Sequence, residues 1–233
     1  MYMFYDWTML LLIPAFLLAM GAQAKVKSAY SRYLRVPAQS GMTGAQVARR
    51  ILDANGLFDV PVGMSQGELS DHYDPRKRDV SLSPDVYGQP TVASIAIAAH
   101  ECGHAVQHQQ GYALLMIRNT IAGPVNLVSM ASWPLLIIGI ILIQAGNLST
   151  GNLLFDIGVI AFAGVVLFHL VTLPVELNAS SRALKALESE GIVTEHERMG
   201  AKKVLSAAAL TYVAALAMAV AQLLRILLIR GRN

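Results

Sequence analysis

Residues 100–104 read His-Glu-Cys-Gly-His. On a helix, residues four apart lie on one face, one turn apart, so imidazoles at 100 and 104 can both reach one metal ion. Glu101 lies about 100° round the helix from His100 and can reach a water held by that ion. Zinc lowers the pKa of such a water towards about 7. The H-E-x-x-H spacing therefore predicts metal-assisted peptide hydrolysis. Glu101 takes the proton, hydroxide attacks the carbonyl, and Glu101 returns the proton to the leaving amine. Two helical histidines with a structural role are the competing reading, but structural zinc has no use for a base beside its ligands. Cys102 and Gly103, which fill the gap, are small enough to let another helix approach closely.

A catalytic zinc keeps three protein ligands and one open position. His108 follows His104 by one turn, yet three such residues along a straight helix cannot converge on one ion. Glu176, in the stretch Pro174-Val175-Glu176-Leu177-Asn178-Ala179-Ser180, is the better third ligand. Its competing role is an acidic residue stabilised at a helix N-terminus. A donor for the oxyanion is also required. His72, Tyr73, His169, Arg182 and Tyr212 are candidates, and the sequence leaves the choice open. His169 falls at membrane depth, where an ionisable group is a functional candidate by default.

The chain around these residues is apolar. It has 233 residues, 55% hydrophobic and 14% charged, with a mean hydropathy of +0.49. Soluble domains carry about 25% charged residues. The excess lies in four runs of membrane-spanning length, about 5–24, 121–145, 153–173 and 204–229. The first has Asp6 and no early basic residue, so it reads as a retained anchor. The segment 146–152 reads as a turn joining the second and third runs into a hairpin. The fourth, with Ser206, Thr211, Tyr212 and Gln222, also suits a helix buried among others.

Ten of the 18 Lys and Arg lie between Lys25 and Arg118, and five more between Arg182 and Lys203. By the positive-inside rule both polar segments, about 25–120 and 174–203, face the cytoplasm. Arg225, Arg230 and Arg232 then oppose the rule. The single cysteine excludes an internal disulfide. With a net charge of +3 and no basic cluster interleaved with aromatics, nucleic acid is not an expected partner.

Within the first polar segment, Thr43–Asn55 reads as a helix with a Thr43/Gln46 capping box, an apolar stripe at Val47, Ile51 and Leu52, and a stop at Gly56. Three short extended stretches follow, 59–65, 68–73 and 78–83, predicting a small antiparallel sheet. The last is the expected edge strand for an extended substrate. The motif helix is expected to begin near Pro90 and stop at Gly111, and a second polar helix to run from Pro174 to Ser189.

Four stretches carry a resemblance over nearly the whole chain: 69–75 (LSDHYDP), 98–108 (AAHECGHAVQH), 173–180 (LPVELNAS) and 209–214 (ALTYVA). Their order and spacing resemble the YugP-type membrane zinc metallopeptidases of bacteria. The resemblance implies a plasma-membrane endopeptidase with one catalytic zinc, and supports Glu176 as ligand. The more distant HtpX-like peptidases have an Asp four residues after that Glu, where this chain has Ser180. An Asp there would orient a histidine ligand. Ser180 brings a hydrogen bond without charge, and Asn178 is a further candidate for that task.

The expectation is therefore one mainly α, membrane-embedded metallopeptidase domain over 1–233. It holds about four transmembrane helices, a zincin-like motif helix and a small antiparallel sheet. Its partners are peptide or protein substrate and membrane lipid. The alternative is a membrane scaffold or chaperone-like protein with a structural zinc.

Overall fold

The computed structural model describes residues 7–231; Met1–Asp6, with the first two residues of the expected first run, and Arg232 and Asn233 lie outside them. A 3-10 turn, Trp7–Leu11, leads into α1 (Leu12–Tyr33). There follow α2 (Gly44–Ala54), β1 (Val62–Met64), β2 (His72–Asp74), β3 (Asp79–Leu82) and α3 (Pro84–Gly88). The chain ends in α4 (Val92–Gln109), α5 (Ala113–Gln144), α6 (Leu148–Ser189) and α7 (Glu195–Arg230). The residues form two compact units. One holds the chain up to Met20, Met116–Leu173 and the chain from Tyr212; the other holds Gly21–Leu115 and Pro174–Thr211.

The first unit is the apolar one. Four helices, those containing α1, α5, α6 and α7, are long and apolar enough to cross a membrane. Their outer faces carry bare apolar side chains, among them Phe16, Leu127, Met130, Ile160 and Leu224. An exposed apolar belt of this size is a surface made for lipid. Inside, Leu136, Phe155, Phe162, Val166, Ala219 and Ile226 form a small core. Gly139 lets the backbone of α6 approach closely: a Cβ there would stand 2.8 Å from the Phe155 nitrogen. The α5–α6 turn is shorter than expected. It is confined to Ala145, Gly146 and Asn147, with Gly146 at φ +86, and Asn147 Oδ1 accepts from the Thr150 N–H to start α6.

The second unit gathers both polar segments. The α2 capping box is present: Thr43 Oγ1 accepts from the Gln46 N–H at 3.3 Å, and the Thr43 N–H donates to Gln46 Oε1 at 2.9 Å. Val47, Ala48, Ile51 and Leu52 turn inward against α4. The three-stranded sheet is mixed, not antiparallel. Its order is β1-β3-β2, with β3 parallel to β1 and antiparallel to β2. Asp71 makes this order. Its carboxylate accepts from the Ser83 N–H at 2.7 Å and from the Ser83 hydroxyl, binding the start of β2 to the end of β3. Thus 78–83 is the central strand and not the edge.

Two helix boundaries also differ from expectation. The motif helix begins at Val92 with Thr91 as N-cap, its Oγ1 accepting from the Ser94 N–H at 3.2 Å. Pro90 stays outside because the chain there is extended; its carbonyl accepts from Ala38 and Thr91 bridges to Pro37. The expected helix 174–189 is not separate. It is the last part of α6, which runs through Pro174 without a break. Proline costs one backbone hydrogen bond in a helix interior but does not forbid it.

Candidate metal centre

The second unit brings the motif and Glu176 together. His100 and His104 project from one face of α4, their ring centroids 4.8 Å apart at an interplanar angle of 81°. Glu176 projects from α6 between them: its Oε2 lies 3.3 Å from His100 Nε2 and 3.5 Å from His104 Nε2. One atom from each residue fits within 4.8 Å of the other two. Glu176 and His104 are buried, and His100 is partly so. Two imidazole nitrogens and a carboxylate oxygen are the donor set of catalytic zinc sites. This group fits a divalent metal ion.

Gly103 explains why α6 can come so close. A Cβ on it would stand 2.7 Å from the Ala179 carbonyl oxygen. Any side chain at 103 would push that stretch of α6 away, and Glu176 with it. Cys102 points the other way and packs on α2, its Sγ 3.5 Å from the Ala48 carbonyl oxygen. Burial pushes its thiol well above the usual range.

Glu101 is buried beside the three donors. Burial raises its carboxyl from 4.5 to about 7; the negative charges of Glu176 and Asp71 add to this, and His100 and His72 oppose it. A base works best with its pKa near the operating pH.

The far nitrogen of each histidine is also held. Ser180 Oγ lies 3.2 Å from His100 Nδ1. Gln107 Oε1 lies 3.0 Å from His104 Nδ1. Gln107 was not among the sequence candidates. Its signal was its position three residues after His104, on the same helical face. The hydrogen-bond directions around it are fixed by chemistry. Gln107 Nε2 lies 2.9 Å from both the Val175 carbonyl oxygen and Asn178 Oδ1. Asn178 Oδ1 also accepts from Arg182 Nε at 2.7 Å. A carbonyl oxygen cannot donate and a guanidinium cannot accept. Gln107 therefore presents its amide nitrogen to α6 and its oxygen to His104. That oxygen requires a proton on Nδ1, leaving the Nε2 lone pair turned to Glu176.

The remaining candidates are dispersed. Arg182 donates to Asn178 and to Gln110 Oε1, so it braces the site from behind. His72 is exposed, its Nδ1 2.8 Å from the Ser70 carbonyl oxygen. Tyr73 holds His108, with the hydroxyl 2.8 Å from Nδ1, so His108 stands apart from the three donors. His169 and Tyr212 belong to the apolar unit.

Residues 8–231 match the model of a family described as "Putative neutral zinc metallopeptidase". The chain is 48% identical over 225 residues to a Bacillus subtilis protein named "Putative membrane protease YugP", covering 96% of this chain and 97% of the relative. No solved structure is matched. With nearly its whole length accounted for by one family model, the chain belongs to the family of that description.

Proposed function

We propose that the chain is a membrane-anchored endopeptidase in which His100, His104 and Glu176 hold one zinc ion and Glu101 is the general base. The observation that carries this reading is the convergence of three ligand atoms within 4.8 Å, with a buried carboxyl of raised pKa next along α4. When bound, zinc supplies Lewis-acid polarisation and a water acidic enough to lose its proton near neutral pH. The protein does the rest. Glu101 receives the proton of the attacking water and delivers it to the leaving amine. Glu176 balances the charge of the ion. Gln107 and Ser180 hold the two imidazoles with Nε2 inward.

The free strand edges are β1 and β2, since β3 is central. An extended peptide pairing with β2 would lie on the edge that begins with His72. Main-chain pairing reads shape more than sequence, so selectivity for flexible segments follows. The excess of Lys and Arg in the polar segments favours a cytoplasmic face on a bacterial plasma membrane.

The test is zinc stoichiometry and casein hydrolysis on the purified full-length chain. The proposal predicts one zinc per chain and hydrolysis that chelation abolishes and zinc restores. Glu176→Ala should lose both. Unchanged zinc affinity in Glu176→Ala would remove that residue from the ligand set.

A further inference from the structure

The apolar unit contains a cavity of about 180 Å³ that the peptidase site does not use. Its wall is almost wholly hydrocarbon: Trp133, Leu136 and Ile140 from α5, Phe155 from α6, and Ile226 and Ile229 from α7. Two polar side chains from α7, Gln222 and Arg225, complete it. Gln222 is 8% exposed, and its Nε2 is buried without a hydrogen-bond partner. Arg225 Nε is likewise buried without one.

Two bare donors in an apolar wall are unusual. In hydrocarbon each unsatisfied polar group costs several kcal/mol, because no water is there to replace the missing partner. A neighbouring arginine shows the ordinary solution. Arg230 is paired to Asp156, Nε to Oδ1 at 2.9 Å, and lies over the Phe155 ring. Arg225 has no such carboxylate among the described residues. It sits five residues earlier on α7, about 7.5 Å deeper along the helix. The cavity thus offers an apolar slot, one positive charge without a carboxylate partner among the described residues and a second donor, more than a turn inside a charged helix end.

We propose that this cavity is a binding site for an anionic phospholipid, with an acyl chain in the apolar slot and phosphate or ester oxygens accepting from Arg225 and Gln222. Phosphodiester and ester oxygens carry no proton and can only accept, which is what the two bare donors require. A zwitterionic lipid fits the slot but brings a cation that the Arg225 charge opposes.

The test is native mass spectrometry of the full-length chain released from micelles doped equally with phosphatidylglycerol and phosphatidylcholine. The wild type should retain phosphatidylglycerol in several-fold excess. Arg225→Leu should abolish the preference, Gln222→Leu should weaken retention, and Arg225→Lys should keep the preference in part. Millimolar inorganic phosphate should not displace the lipid, because it lacks the chain. Equal retention of both lipids by the wild type would overturn the proposal. So would a preference that survives Arg225→Leu, displacement by phosphate, or a cavity that retains no lipid at all. The melting temperature and zinc content of each variant, read in parallel, report whether the fold is intact.

Discussion

A metal ligand is only as good as the group behind it. His104 leans on Gln107, whose orientation is set by partners that cannot reverse their roles: the Val175 carbonyl and, through Asn178, the Arg182 guanidinium. Losing such a partner typically weakens metal binding 10–100-fold. Gln107→Met keeps length and burial but removes the acceptor. Its zinc affinity, measured by competition with a chelating dye, should fall by about 10–100-fold with the helical circular dichroism unchanged. An affinity within threefold of wild type would mean that Gln107 only fills space. His100 has a freer support, since the Ser180 hydroxyl can donate or accept. Cys102 gives a residue-scale control. Buried and with its thiol pKa raised, it should resist maleimide labelling in the native protein and react on unfolding.

At the scale of elements, the site is a contact between two helices. Gly103 sets their separation, because the Ala179 carbonyl occupies the place of a Cβ. Gly103→Ala should cost about 1–3 kcal/mol as an overpacked contact, and should also weaken zinc binding by moving Glu176. A stable variant with normal affinity would show that α6 can retreat without carrying its ligand. What the sequence revealed about these elements follows their local signals. The α2 capping box and the motif helix were legible because they rest on spacing within a few residues. Strand order was not. Strands of three or four residues are too short for alternation to mark an edge, and the deciding contact, Asp71 with Ser83, spans twelve positions. The break expected at Pro174 was a local rule overridden by a helix long enough to carry the lost bond. Gln107 was missed because glutamine on a buried helix face has no motif of its own.

For the whole molecule, one unit is built for lipid and the other for chemistry, and α6 supplies residues to both. In the proposed site a zinc ion joins α4 to α6, so it should stabilise the fold as well as activate it. A ligand held by the native state alone adds about 2.7 kcal/mol at a free concentration a hundred times its Kd. Chelation should lower the melting temperature by several degrees, and added zinc should restore it. A melting temperature indifferent to chelator would separate the metal from the fold.

In the proposed mechanism Glu101 moves the proton while His100, His104 and Glu176 hold the ion. Glu101→Gln keeps the side chain's size and removes its basicity, so it separates the two tasks. Zinc content and casein hydrolysis should be measured together on that variant and on wild type. One zinc per chain is expected in both proteins, with a loss of hydrolysis of at least about a hundredfold in Glu101→Gln. Hydrolysis at the wild-type rate, with zinc still bound, would contradict that mechanism.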